Sequence, residues 1–371
     1  MQEILIIIPD DYAAGGLQRS AVAVRNCLKE AGYRVTIFCF KLFPEGLAAK
    51  YPFIRALSPD RRPKLLFWLS TLYALRRHIR SRGPHAVISF GSVPSILLPL
   101  VSAFLRVPLI VGSERAYPPA CPPAPLLSFL RRVTFWKLDF IVCQTEPIKA
   151  WFRESLKTRE RRLVVIPNIV PEAPVRRPRE QHHSESAATA SIVAVGRLEE
   201  QKGFAFAIEI FSKVVERIPN ATLSIAGEGP LHDTLDDQAS ACGLGQNVKF
   251  LGRVRDLAPV WESADLLLFS SLYEGFPNAL AEAMANGVPA VSFDCPTGPS
   301  ELIDSGINGY LVPVGDVERA AECCIDLLND APKRRMFAER AAEISNQFSA
   351  ERVGLLWRQL IDSGGDKPVR S

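Results

Sequence analysis

The sequence predicts an α/β protein built of two Rossmann-like doubly wound domains facing across a cleft. A chain of 371 residues is longer than one ordinary core needs. Short apolar runs alternate with helical patterns in both halves, which is the signature of βαβ units on a parallel sheet. Between the two series, residues 171–190 turn to Pro, Arg, Glu, His, Ser and Ala, the composition of an exposed linker. The expected division is therefore 1–170, a linker at 171–190, 191–345, and a C-terminal helix and tail at 346–371. Hydrophobic residues make up 47% and charged residues 23%, a globular balance that excludes a disordered chain.

In the first series, strands are expected at 3–9, 34–40, 86–90, 108–112, 139–143 and 163–166, with a helix at about 16–31. The loop after the first strand holds Gly15 and Gly16 just before that helix, where unpaired N–H groups can meet an anion or a sugar hydroxyl. It is not GxGxxG, so a dinucleotide fingerprint is missing. Residues 88–105 carry no charge over nearly the length of a membrane span, but Gly91, Pro94 and Pro99 interrupt them. They read as a strand, a turn and a buried or interfacial helix. The stretch 64–82 places Leu65, Trp68, Leu69, Leu72, Leu75 and Ile79 at helical spacing beside Arg76, Arg77 and Arg80. A lipid interface and a core-facing helix with a solvated basic face both satisfy that pattern. A second basic-aromatic stretch, Leu126 to Leu138 with Arg131, Arg132, Trp136 and Lys137, tips the choice toward the interface.

The second series predicts strands at 191–196, 222–226, 247–250, 265–269 and 289–292, with helices at about 203–217, 230–242, 256–263 and 277–286. Folds of this kind bind ligands at the carboxyl ends of their strands. A tail helix over about 349–362, with Val353, Leu355, Leu356, Trp357 and Leu360, is expected to brace the first domain.

The net charge of +4 hides an asymmetry: residues 1–170 hold 25 Lys and Arg against 11 Asp and Glu, whereas the remainder holds 19 against 29. The basic half suits an anionic partner. Its basic residues come with apolar helices rather than a nucleic-acid reading motif, so nucleic acid is the weakest choice. The eight cysteines form no CxxC pair and no zinc-type spacing, which points to buried reduced thiols. The chain opens directly on a strand, with no basic leader, so a cytoplasmic protein is expected.

The stretch that carries most chemistry runs from Ser270 to Pro289. It follows a strand, and Pro277 stands where a helix begins and a missing N–H costs nothing. The turn at Glu274, Gly275 and Phe276 should aim free amides into the cleft, with Glu282 eight residues on, near the helix start. Such amides suit a diphosphate or a sugar, and a carboxylate suits vicinal hydroxyls. A capping group and a surface Glu would give the same spacing. Arg197 and Lys202 follow the strand 191–196, where fixed cations would stabilise a leaving nucleoside diphosphate in the transition state.

Val-Gly-Arg-Leu with Gln-Lys-Gly (195–203), Ile-Ala-Gly-Glu-Gly-Pro (225–230), Phe-Leu-Gly (250–252), Glu-Gly-Phe-Pro-Asn with Glu282 (274–282) and Asn-Gly-Tyr-Leu-Val (308–312) together resemble the retaining GT-B glycosyltransferases of family 4. The resemblance covers nearly all of 191–316 in order and extends to Gly15-Gly16-Leu17-Gln18-Arg19 and Ile166-Pro167-Asn168. It implies a nucleotide-sugar donor held by Gly16, Gly196, Arg197, Lys202, Gly252, Arg253, Val254, Glu274, Gly275, Phe276, Pro277, Asn278, Ala279, Leu280 and Glu282. Glu274 would contact the sugar hydroxyls, Glu282 the ribose, and Gly252 to Val254 would border the base. Arg197 and Lys202 would bind the diphosphate in the role a cation often takes, and no metal or other cofactor is expected. The catalytic set is thus Glu274, Arg197 and Lys202.

Many relatives carry a histidine in the first domain near the donor sugar. Here the matching strand ends, Phe90-Gly91-Ser92 and Gly112-Ser113-Glu114-Arg115, have none. Ser113-Glu114-Arg115 resembles a segment of transferases that build cell-surface glycans or polyprenyl-linked oligosaccharides. Gly15, Gly16, Arg19, Arg76, Arg77, Arg80, Glu114 and Arg115 are the expected acceptor side. The resulting expectation is transfer of a hexose or N-acetylhexosamine, from a UDP-sugar, to a glycan or polyprenyl-diphosphate-linked acceptor at the inner face of an anionic membrane. An epimerase or hydrolase of the same fold and an idle nucleotide-sugar sensor are the alternatives.

Overall fold

A computed structural model describes residues 1–10, 16–41, 48, 54–56, 64–171 and 190–365. Gly15 and nearly all of the expected linker, 172–189, lie outside the described residues. The chain divides into two compact units, Met1–Ile169 with Ala350–Ser371, and Val170–Ser349.

In the first unit, β1 (Glu3–Asp10), β2 (Arg34–Lys41), β3 (Ile54–Ala56), β4 (Ala86–Phe90), β5 (Leu109–Ser113), β6 (Phe140–Cys143) and β7 (Leu163–Val165) form one sheet. Its order is β3-β2-β1-β4-β5-β6-β7, and every pairing is parallel. The unbroken apolar run of β1 follows from burial on both faces. Ile4, Ile6 and Ile8 enter one cluster with Trp357 and Ile361 of the tail helix Ala350–Gly365, while Leu5 and Ile7 enter another with Leu75 and Ile79 of Lys64–Arg82. The tail helix therefore packs on the first unit as expected, although Leu355 and Leu356 face outward.

The uncharged segment 88–105 resolves into β4, a turn at Gly91 and the helix Ser92–Val101. No helix among the described residues is long and apolar enough to cross a membrane. The helix Lys64–Arg82 forms as predicted, but its exposed side differs from the expectation. Leu75 and Ile79 are buried, whereas Trp68, Leu69 and Tyr73 are exposed; the side chain of Leu65 is outside the described residues. Arg77 and Arg80 are exposed, but Arg76 is half-buried and donates to the carbonyls of Val101 (2.8 Å) and Ala103 (2.7 Å). Arg76 thus caps the end of the neighbouring helix instead of facing outward.

In the second unit, β8 (Ser191–Val195), β9 (Thr222–Ala226), β10 (Val248–Gly252), β11 (Leu266–Phe269), β12 (Ala290–Phe293) and β13 (Gly309–Val312) give the order β10-β9-β8-β11-β12-β13, again all parallel. Strand order reverses between β8 and β11, the place where doubly wound sheets take their ligands. The loops leaving those two strands carry Lys202 and Glu274.

Candidate donor site

The loop after β8 is held to the loop after β11 by backbone geometry before any charge is considered. Gly203 sits at φ 59°, and a Cβ there would lie 2.2 Å from the carbonyl oxygen of Ser270. The Ser270 hydroxyl donates to the carbonyl of Lys202 (2.9 Å), the amide of Leu272 to that of Gln201 (2.8 Å), and Gln201 Nε2 to that of Tyr273 (2.9 Å). A Cβ on Gly196 would meet the Lys202 stem at 3.2 Å, so the side chain crosses the glycine on its way to β11.

This lacing brings Lys202 Nζ to 2.6 Å from Glu274 Oε1, in an ion pair whose side chains are 17% and 6% exposed. Removing two charges from water is costly, so a pair this buried must be well matched to persist. The thiol of Cys295 lies close enough to sense it: burial first, then the Glu274 charge, push it up to about 12, against a lowering by Lys202. Cys295 is therefore a neutral thiol at neutral pH.

Beyond Glu274 the chain turns into the helix Asn278–Ala285, which has no side-chain cap. Gly275 and Phe276 are buried, and neither backbone N–H has a hydrogen-bond partner among the described residues. Two successive amides of this kind ahead of a helix N-terminus can donate to an anion, and native proteins rarely leave buried donors open without a ligand to fill them. Pro277 precedes the first helical residue, so helix and turn meet where the sequence placed them. Glu282 is half-buried within this helix, and Asn278 and Ala279 are half-buried at its start, ahead of buried Leu280. Gly252 ends β10, the strand at the far end of the sheet order, and Arg253 and Val254 follow it.

Arg197 differs from the expectation that it converges with Lys202. Its side chain is 61% exposed and pairs with Glu199 at 3.0 Å. Its charge is therefore largely solvated.

In the first unit, Gly16 opens the helix Gly16–Glu30 and Arg19 is exposed on its first turn. Of the two residues expected on the acceptor side, Glu114 is buried and Arg115 half-buried. Arg115 lies 4.2 Å over the Phe90 ring and donates to Asn168 Oδ1 (2.5 Å) and Ser20 Oγ (3.3 Å), so it ties β4, the segment after β7 and the first helix together. Burial pulls its guanidinium down, opposed by Glu114. The Glu114 carboxylate accepts from Ser92 Oγ (2.5 Å), and burial pushes its pKa up against that bond and the charges of Arg131 and Arg115. Sequence reasoning passed over Gln201, Ser270 and Thr297, whose polar side chains all bond to carbonyls of the two loops.

Family models match both units: Glycosyltransferase Family 4 over residues 14–173 and Glycosyl transferases group 1 over residues 178–344. The chain belongs to the family 4 glycosyltransferases. Among similar proteins, an exopolysaccharide phosphotransferase of Streptomyces coelicolor is 38% identical over 225 residues, which are 60% of this chain and 23% of that protein. The chain thus spans under a quarter of that relative's length. A lipopolysaccharide core biosynthesis glycosyltransferase of Rhizobium meliloti is 28% identical over 356 residues, covering 94% of this chain and 96% of the other. The Anabaena protein HepE, solved in complex with UDP and glucose, superposes with a TM-score of 0.82 at 17% identity, over 98% of this chain and all of that one. The two parallel α/β sheets seen here are therefore the fold of this glycosyltransferase family.

Proposed function

We propose that this transferase moves a hexosyl or N-acetylhexosaminyl group, with retention at the anomeric carbon, from a UDP-sugar to a hydroxyl of a lipid-linked glycan in cell-surface glycan assembly. The observation that carries the reading is the buried Lys202–Glu274 pair beside the unpaired amides of Gly275 and Phe276. The amides suit the diphosphate and the sugar, Lys202 suits the charge that gathers on the leaving group, and Glu274 suits the sugar hydroxyls. In the transfer, the acceptor oxygen bonds to the anomeric carbon as the bond to the β-phosphate oxygen breaks. The acceptor proton passes to the departing diphosphate. We assign no metal to this step, since Lys202 takes the charge role. Glu282 is assigned to the ribose hydroxyls. HepE, solved with UDP and glucose, and the lipopolysaccharide core enzyme support the donor and acceptor classes. The test is nucleoside diphosphate release from a panel of nucleotide sugars, with a polyprenyl-diphosphate glycan as acceptor, alongside Glu282→Ala. Acceptor-dependent release with one donor, lost in the variant, is expected. Release without acceptor would instead mark a hydrolase or epimerase, and tight binding without turnover a sensor.

The first unit is assigned to the inner face of an anionic membrane, as a peripheral attachment. The helices Lys64–Arg82, Ser92–Val101 and Pro125–Thr134 pack in series, and between residues 64 and 139 the only carboxylates, Glu114 and Asp139, are buried. This stretch exposes Tyr73, Phe104, Leu126, Phe129 and Trp136, with Arg77, Arg80, Arg106 and Arg132. Aromatic side chains among cations with no exposed carboxylate suit anionic headgroups. Reversing Arg77 and Arg80 together to Glu replaces two attractive charges, each worth about 1 kcal/mol near such a surface, by repulsive ones. Sedimentation with phosphatidylglycerol vesicles should fall by at least about tenfold; undiminished sedimentation sinks the assignment.

A further inference from the structure

Thr297 is a β-branched residue at φ 71°, a left-handed backbone conformation that such residues adopt only under constraint. It follows β12, is 3% exposed, and precedes Gly298 at φ 103°, where a Cβ would lie 2.4 Å from Pro277 Cδ. The two turns are thus pressed together, and the amide of Glu274 donates back to the carbonyl of Pro296 at 3.3 Å. The Thr297 hydroxyl donates to the carbonyl of Glu274 and, at 3.4 Å, approaches that of Gly275.

Those two carbonyls belong to the same peptide planes as the amides of Gly275 and Phe276. In a trans peptide the C=O and N–H point in opposite directions. A hydroxyl that gathers both carbonyls on one side therefore turns both N–H groups to the other, and both are buried amides with no hydrogen-bond partner among the described residues. Strained backbone persists where surrounding structure over-determines it, and it concentrates at ligand sites.

We infer that Thr297 is a positioning residue of the donor site: its hydroxyl fixes the Glu274–Gly275 and Gly275–Phe276 peptide planes so that their amides face the donor's diphosphate and sugar. This rests on the transferase reading above. Thr297 touches no substrate itself and acts through the turn.

The test titrates UDP and the donor found by the panel into wild type, Thr297→Val, Thr297→Gly and Thr297→Ser, with steady-state kinetics and thermal unfolding of each. Valine keeps the shape and loses the hydroxyl. Glycine loses the hydroxyl but suits φ 71°, so it provides a folded variant if valine does not fold. Both hydroxyl-free variants should weaken UDP binding and raise the donor KM by about tenfold, the effect of one well-placed hydrogen bond. The acceptor KM should stay near the wild-type value. Thr297→Ser should restore both donor parameters to within about twofold. Wild-type UDP affinity in Thr297→Gly, or failure of Thr297→Ser to rescue, overturns the inference while leaving the transferase reading intact. Absence of nucleotide binding by the wild type overturns the reading and the inference with it.

Discussion

Replacing Lys202 by Met should leave a folded but damaged protein that transfers sugar about 10²–10³ times more slowly, the loss typical of removing one preorganised charge-stabilising group. Lys202 and Glu274 are 2.6 Å apart with little access to water, so the substitution also strands a buried carboxylate. Breaking a buried pair from one side costs about 3 kcal/mol of stability, far more than the net worth of the pair. Stability and activity then separate in a double variant. Lys202→Met with Glu274→Leu removes both charges and should recover most of the lost stability, since an apolar pair of similar volume commonly matches a buried ion pair. It should recover no activity, because the groups proposed to bind the diphosphate and the sugar hydroxyls are both gone. Thermal unfolding and nucleoside diphosphate release, measured on the same three variants, read the two effects. Recovery of activity in the double variant would mean that the pair is only structural.

Gly203→Ala should be nearly as severe for a different reason. At φ 59° an alanine pays about 1 kcal/mol for the left-handed conformation alone. Its Cβ would also stand 2.2 Å from the Ser270 carbonyl, and that atom is backbone that cannot rotate aside. Relief requires the two loops to part, which lengthens the bond between Ser270 and the Lys202 carbonyl and moves Lys202 from Glu274. A loss of about 3 kcal/mol is expected, with nucleotide binding lost in parallel. Gly243 supplies the control. It is also left-handed, at φ 71°, but nothing lies within 4 Å of an added Cβ. Gly243→Ala should cost only the conformational part, about 1 kcal/mol, and leave binding unchanged. Equal unfolding midpoints for the two variants would show that the Gly203 contact does not hold the loops together.

Much of the architecture was legible because burial dictates pattern. The run Ile4 to Ile8 is apolar at every position since both faces of a central parallel strand are covered, and Trp357 at helical spacing with Val353 and Leu360 marked the tail helix that closes the first unit. The strand β3 was missed because three residues carry no period. In the site, Lys202 and Glu274 were readable from loops that follow strands, but their pairing depends on β8 lying next to β11, which is a property of sheet order and not of spacing. The surroundings of Arg115 were not legible for the same reason: Phe90, Asn168 and Trp357 reach it from distant segments. Arg76 is similar: its carbonyl partners belong to a helix some 25 residues away. Thr297 was invisible because neither its backbone strain nor the carbonyls it gathers leave a mark on composition.

In the proposed function the second unit holds a nucleotide sugar and the chain transfers its sugar with retention. The most direct measurement follows the donor-panel reaction by proton NMR, with purified protein, the productive nucleotide sugar and the polyprenyl-diphosphate glycan. The expected product is a new glycoside whose anomeric centre has the same configuration as the donor's, formed in step with nucleoside diphosphate and absent with Glu282→Ala. A product of inverted configuration, or nucleoside diphosphate accompanied only by free sugar, would contradict it.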